Sequence, residues 1–580
     1  MRNSKTLLLA SLLGASCLGF VPGASAQEVT FDRLVNSDSE PQNWLTTYGN
    51  YAGWSYSRLD QINTENAADL RLVYLRSIGG ETSGQDLESR PLVADGFMYL
   101  FNGISEVLKL DLTGGDSAEL VWRNNPAAAS GGKMGSLALL NASVYNATRD
   151  MRLLRLDMET GETIWDVSTR APENPYADEW NSTAPVAVNN SIITTGAGSA
   201  LRSWMAAWDA DTGELQWRWL AVPGPGEPGH ETWEDDHDAW LTGGAGIWTA
   251  PTYDPETNLL FVGTGEPQPW TDPEFRPGDN LYSMSTVAVN ATTGELVWYF
   301  QELPDESWDY DTVNMRMLHQ ADFGGEVRAA VSNFSRSGMY YTLDLVTGEF
   351  LTGGPYVDVT WTAGLDPKTG KPVEYDPNVP VQSYANNSSM RPGDPTSNQN
   401  VCPRHGAMPT WWPPTYDPAR GMAWVQAVTG CESQFMAESL DTTLDHWRED
   451  PYGLAAGAGV AITNEDPSLT RGLIIGVDAI TGEVAQRIET EYWTGSGLLG
   501  TAGDLIFTGH SDGRFSAYDK DTLEELWHFN TGTIIGAPPI TFEVGGEQFV
   551  AVLLGGGWVR VPHPDIRDYT KAPMLAVFAL

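Results

Sequence analysis

LRLDMETGETIW at 154–165, AAWDADTGELQW at 206–217 and VAVNATTGELVW at 287–298 are one phrase written three times. Apolar residues alternate into an Asp or Asn, a T-G-E turn follows, and a tryptophan closes the phrase. Alternation with a period of two marks a strand, and the D-x-x-T-G stretch marks a tight turn, so each copy predicts strand, turn and strand. Weaker copies end at Trp122, Phe350, Val484 and Trp527. The repeated polar position falls at Asp111, Asp157, Asp209, Asn290, Asp344, Asp478 and Asp519, with spacings of 46, 52, 81, 54, 134 and 41 residues. Four of these spacings suit a four-stranded propeller blade, and the two long ones predict inserted loops or a degenerate blade. Helical periodicity is nearly absent, and no Pro/Gly/Ser linker or charge block divides the chain. The expectation is an all-β, eight-bladed β-propeller whose eighth blade is shared between the strand around Leu70 to Tyr74 and the residues Met574 to Leu580. Such closure removes exposed sheet edges. Nearly all of the 23 tryptophans are then expected to dock neighbouring blades.

Outside the repeats, residues 1–26 combine Arg2 and Lys5, an apolar run from Leu7 to Phe20 and the tripeptide Ala24-Ser25-Ala26. That is the pattern of a cleaved secretory signal, leaving 27–580 as a single propeller domain exported to the periplasm. A lipoprotein anchor at Cys17 is disfavoured by Gly14, which stands where an aliphatic residue is wanted. No later segment is apolar for long enough to span a bilayer. Loss of Arg2 and Lys5 takes the formal charge from −43 to −45, which excludes nucleic acid as a partner and suits either simple solubility or a basic partner. The two cysteines that remain, Cys402 and Cys431, are read as one disulfide in an oxidising compartment. In the chain-entropy model such a link stabilises by roughly 3 to 4 kcal/mol; two free thiols would require a reducing compartment. No CxxCH occurs, so the chain carries no covalent c-type haem.

Three stretches carry the chemistry: TGGAGIWTAPTYDPETNLLFVGTGEP at 242–267, SWDYDTVN at 307–314 and GLLGTAGDLIFTGHSDGRFSAYD at 497–519. Together with NWLTTYGNYAGWSYSRLDQIN from residue 43, they resemble the quinoprotein alcohol dehydrogenases, the family that includes methanol dehydrogenase. The resemblance implies a pyrroloquinoline quinone (PQQ) on the propeller axis beside a cation. It also implies an aspartate over the reactive quinone carbonyl and an alcohol as substrate. A quinone takes up hydride when its oxygen is polarised by a cation, and the alcohol gives hydride as a base removes its O–H proton. By resemblance Asp309 is that base, and Asp311 matches an extra aspartate of lanthanide-using members. Positions i and i+2 of an extended segment share a face, so both carboxylates can meet one ion. Arg336 matches the cation at the quinone oxygens. Trp248 matches the stacking platform, while Glu88, Lys133, Thr148, Ser182, Thr242 and Trp493 match further cofactor contacts.

Two departures bear on the ion. The family's glutamate ligand in a GAEFG-like phrase is replaced by Gly198 in GAGSALR, and the asparagine of GTGNP is replaced by Glu266 in GTGEP. The expected ligand set is therefore Glu266, Asp309 and Asp311 around calcium or a lanthanide, both of which accept oxygen donors. A third departure is Ala127-Ala128-Ala129 where many members place a vicinal disulfide against the cofactor. Trp411 and Trp412 in MPTWWPPTY are expected either to line the entrance or to close a blade. The cluster His230, Glu231, Asp235, Asp236, His237 and Asp238 lacks the ligand spacing of a zinc site. The leading expectation is a haem-free enzyme that oxidises a primary or secondary alcohol and passes electrons singly to an external cytochrome c. The alternatives are a non-catalytic propeller scaffold and a member whose altered pocket holds PQQ poorly.

Overall fold

A computed structural model describes residues 28–79, 87–103, 105–127, 137–174, 178–181, 183–199, 201–404, 411–439, 460–464, 470–493, 495–556 and 572–580. Signal residues 1–26, Lys133, Ser182 and Ala128-Ala129 lie outside them. Eight four-stranded antiparallel blades surround one axis. The first four blades begin at Leu92, Leu137, Val186 and Thr252, and the next four at Met317, Thr415, Leu499 and Ile540. In the eighth, Ile540–Val544, Glu547–Leu554 and Met574–Ala579 are completed by Arg71–Ser77, which pairs antiparallel with Met574–Ala579. The chain's two ends thus close the ring, as the sequence predicts. Each long spacing is a single step between adjacent blades lengthened by inserted loops, and the sixth blade also carries a hairpin of Glu432–Met436 with Val460–Asn464.

The repeated phrase explains how blades dock. In the second blade the Asp157 carboxylate accepts from the amides of Glu159 (3.0 Å) and Thr160 (2.8 Å) and from the Thr160 hydroxyl (3.0 Å), winding the turn. Gly161 closes it at φ +74°, and a Cβ there would lie 2.6 Å from the Trp122 ring of the first blade. Trp122 Nε1 donates to the turn carbonyl of Met158 at 3.1 Å. Trp217, Trp298 and Trp527 repeat the contact with Ala291, Leu345 and Leu70 at 3.1, 3.0 and 2.9 Å. Each such indole buries roughly 150–250 Å², a gross contribution of about 4 to 6 kcal/mol. A further turn of this kind at 366–370, outside the repeat count, receives Phe350, with a Cβ at Gly370 only 2.4 Å from its ring.

The stretch 29–57 crosses one end of the axis and touches every blade. Val29 pairs with Asn141, Trp44 with Val93, and Gln42 accepts from the amide of Glu543. The carbonyls of Tyr51, Ala52, Trp54 and Ser55 accept in turn from Tyr253 (3.0 Å), Leu318 (2.8 Å), Tyr416 (2.9 Å) and Gly500 (3.1 Å), the inner strands of four successive blades. The Tyr51 hydroxyl donates to Ala187 of the third blade. The expected disulfide joins Cys402 to Cys431.

Candidate functional site

After the outer strand Leu296–Gln301 of the fourth blade, the chain returns to the axis through 302–316. One Glu306 oxygen accepts from the amides of Trp308 and Tyr310 (2.9 Å), curling the loop around its own side chain. Asp309 and Asp311 are thereby held at φ +64° and +30°, a region costly for residues with a Cβ and characteristic of functional strain. Trp308 and Tyr310 pack outward on Trp361, at ring separations of 5.7 and 6.4 Å. Their alternation sends the two aspartates to the axial side.

There they meet Arg336, from the turn between Val327–Phe334 and Met339–Asp344. Its Nη1 donates to Asp309 Oδ1 at 3.3 Å and to Asp311 Oδ2. Its Nε and Nη2 are buried and have no hydrogen-bond partner among the described residues. Glu266 follows Leu259–Gly263; its amide donates to Asp311 Oδ1 at 3.2 Å, and its Oε1 accepts from Gln268 at 3.1 Å. Oε2 of Glu266 is buried without a partner among the described residues. One oxygen from each of Glu266, Asp309 and Asp311 lies within 4.8 Å of the others. A hard cation with oxygen ligands at about 2.3 to 2.6 Å spans donors up to about 5 Å apart, so the set fits a single ion.

Electrostatics agree. Three carboxylates against one guanidinium leave uncompensated negative charge. Burial, then the nearby Asp311 and Asp309 carboxylates, push Glu266 well above the ordinary range. Burial also raises Asp311, against the pull of Arg336. Exposure separates the three: the Asp309 side chain is 24% exposed and that of Asp311 1%.

The Trp248 ring lies over the same wall. A Cβ on Gly246 would fall 1.9 Å from the indole, and one on Gly265 would meet both Asp311 (2.7 Å) and Trp248 (2.9 Å). Trp248 is half-buried, which leaves it the form of a platform. Glu88, buried, lines an axial cavity with Arg90, Thr183, Thr249, Trp411 and Trp412. Trp493 meets Trp412 edge-on at 4.7 Å. The two tryptophans of MPTWWPPTY therefore belong to the cavity wall.

Two further expected contacts have acceptors within the chain. The Thr148 hydroxyl donates to Asp150, and that of Thr242 to the Ala239 carbonyl at 3.4 Å. Glu179 pairs in register with Gly198, yet its carboxylate accepts from Ala171 (3.1 Å) and Asn174 (2.8 Å), so it does not replace the missing ligand. In the His/Asp cluster, His237 packs on Phe275 with Asp235 at 3.7 Å.

Sequence reasoning missed the supports. Arg276, fully buried, donates to Pro269 O (2.9 Å), Asn280 (2.7 Å), Asp305 (3.2 Å), Trp270 O (3.1 Å) and Glu306 O, tying the Glu266 loop to the Asp309 loop. Glu302 accepts from Thr286 (3.0 Å), Asn333 (3.1 Å) and Thr312, with Arg316 at 3.6 Å. Only the run E-S-W-D-Y-D, an acid three residues ahead of Asp309, hinted at Glu306.

Residues 44–359 and 475–550 match the family described as "PQQ: Glucose/ethanol/alcohol dehydrogenase, beta-propeller domain". The chain is 32% identical to the quinoprotein alcohol dehydrogenase PedH of Pseudomonas putida, across 100% of this chain and 98% of that protein. It is 31% identical to the dehydrogenase subunit of an alcohol dehydrogenase (quinone) of Komagataeibacter europaeus, across 96% and 78%. Among solved structures, a europium-containing methanol dehydrogenase superposes with a TM-score of 0.82 at 27% identity, covering 95% of this chain and 100% of that one.

Proposed function

The chain belongs to the PQQ-dependent glucose/ethanol/alcohol dehydrogenase family, and from that membership we propose a haem-free periplasmic enzyme converting a primary or secondary alcohol to an aldehyde or ketone. As a member it is an alcohol-oxidising quinoprotein that works with PQQ and a metal ion. We take the ion to be calcium or a lanthanide, three carboxylates suiting the higher charge. Bound PQQ supplies an electron-poor quinone that accepts the two electrons leaving the alcohol carbon.

The chain's own residues do the rest. Trp248 offers its indole face to a planar ring, and Glu88, on the wall of the axial cavity, and Trp493, edge-on to Trp412 of that wall, are taken as further contacts. Glu266 and Asp311, both buried, hold the cation; Asp309 contributes one oxygen to the same set. Being the most exposed carboxylate of the three, Asp309 is the one able to reach an alcohol O–H and take its proton. Arg336 spends Nη1 on the aspartates and keeps Nε and Nη2 for oxygens that gain negative charge. Lys133 and Ser182 remain proposed contacts from the resemblance alone. The observation that carries this reading is the convergence of three carboxylate oxygens within 4.8 Å beside an arginine with two uncommitted nitrogens.

Electrons are passed singly to an external cytochrome c, for which the formal charge of −43 favours a basic partner. The leader-like residues 1–26, the disulfide and the absence of CxxCH support a periplasmic, haem-free chain. Among the described residues no helix is long and apolar enough to cross a membrane. The test is reconstitution of the purified chain with PQQ plus calcium or a lanthanide, following reduction of an artificial acceptor over an alcohol panel. Turnover that needs both PQQ and the ion is expected; silence with every ion across the panel would refute the proposal in favour of a scaffold.

A further inference from the structure

The outer side of the Asp309 loop is covered by 356–404, the insertion between the fifth and sixth blades. Contacts follow one another along it. Pro304 O accepts from the Tyr384 hydroxyl (2.7 Å), Asp305 Oδ2 from the Gln382 amide (2.6 Å) and Ser307 Oγ from the Met390 amide (3.0 Å). Trp308 Nε1 donates to Ser388 O (2.9 Å), and the Tyr310 hydroxyl to Pro403 O (2.6 Å). The insertion is itself anchored where Tyr310 touches it. Cys402 is bonded to Cys431, Val401 and Glu432 exchange backbone hydrogen bonds of 2.7 and 3.0 Å, and the Arg404 amide donates to Gly430 O at 3.0 Å.

We propose that this disulfide-pinned insertion positions Asp309 and Asp311, with Tyr310 as the positioning residue that transmits its hold. The proposal rests on the reading that Glu266, Asp309 and Asp311 bind a cation. Both aspartates sit at positive φ, which persists only where neighbours over-determine the backbone. Tyr310 lies between them and is fixed at both ends, by its amide on Glu306 and its hydroxyl on Pro403. If the outer anchor is released, the loop can relax toward ordinary dihedrals. The carboxylate oxygens then lose the sub-ångström placement that a shared ion requires.

The mature chain is titrated with Tb³⁺ alone, reading tryptophan-sensitised emission, for the wild type, Tyr310→Phe, the pair Cys402→Ser/Cys431→Ser, and their combination. Phenylalanine keeps the ring packing and removes only the hydroxyl. We expect the Tb³⁺ dissociation constant to rise about tenfold for Tyr310→Phe and for the cysteine pair, and the combination to be no worse than the weaker binder of the two, because both break one linkage. Gly294→Ala, which strains a distant blade turn, serves as a control for general destabilisation and should leave Tb³⁺ affinity unchanged. A folded Tyr310→Phe protein with wild-type affinity overturns the brace, as do fully multiplicative effects in the combination. If the cysteine pair does not fold, Tyr310→Phe alone decides. A wild type that takes up no Tb³⁺ overturns the cation reading and the brace together, an outcome distinct from the other two.

Discussion

Replacing Arg276 with methionine removes the clamp between the two walls of the ion site while nearly preserving side-chain volume. The guanidinium is fully buried, with each of its three nitrogens donating. Asp305, its partner at 3.2 Å, is 1% exposed. Breaking a buried ion pair on one side costs about 3 to 5 kcal/mol. The carbonyls of Pro269, Trp270 and Glu306 also lose their donor, at about 1 kcal/mol or more for each that stays dry. Protonation of Asp305 limits the total, since burial pushes that carboxyl up to about 8 even beside the arginine. We expect a net loss of about 4 kcal/mol, a large part of the roughly 5 to 15 kcal/mol by which a folded protein is stable. Urea unfolding followed by tryptophan fluorescence, with refolding checked, measures it. Arg276→Lys keeps the charge but not the fork and should recover less than half of the loss. Alcohol turnover should fall in step, because Glu266 and Asp309 stand on the two loops that Arg276 joins. A loss below about 1 kcal/mol for the methionine variant would show that the loops are held by something else.

Asp309→Asn is expected to lower kcat by about 10² to 10⁴ while PQQ remains bound, as removal of a general base does; steady-state turnover within threefold of wild type would show that another group takes the proton. His319 is buried, and desolvation lowers its imidazole to about 4. Unfolded histidine titrates near 6.5, so stability is lost as pH falls from 6.5 to about 4, an interval worth about 3 kcal/mol. His319→Gln should flatten that part of the acid limb, and unfolding midpoints that follow the wild-type slope would refute the assignment. Gly294→Ala places a Cβ 2.6 Å from the Trp217 ring at φ +73°. A loss of about 2 to 4 kcal/mol is expected from strain and overpacking, and calorimetry that finds the variant unchanged would contradict the docking scheme.

The ring was legible because each blade repeats its own local instructions. An Asp that winds a turn, a glycine at positive φ and an indole that covers the matching glycine of the next blade all fall within a dozen residues. The eighth blade could be inferred only from what remained at the two ends, since Arg71–Ser77 and Met574–Ala579 share no turn phrase. The turn at 366–370 carries no such signal because it lacks the flanking strands, although it receives Phe350 as the other turns receive tryptophan. At the site, Glu266, Asp309, Asp311 and Arg336 stand in recognisable phrases; the two aspartates do meet, but on left-handed backbone rather than on the extended segment expected. Thr148, at the end of a strand, and Thr242, in a short 3-10 helix, show what position alone does not give, the partner a hydroxyl takes within the folded chain. Arg276 was silent for a related reason. It is an isolated polar residue whose partners come from loops of no period, so only the assembled fold shows what it holds.

The stretch 29–57 has a consequence for how the molecule comes into being. It is threaded across the hub from blade to blade and includes a contact with Glu543, while Arg71–Ser77 waits for Met574–Ala579. A polypeptide emerging N-terminus first therefore carries its drawstring from the start and cannot pull it tight until Glu543, in the eighth blade, has arrived. Assembly becomes an event of the whole circle, and a chain cut short by its final strand leaves Arg71–Ser77, the seam, without its counterpart.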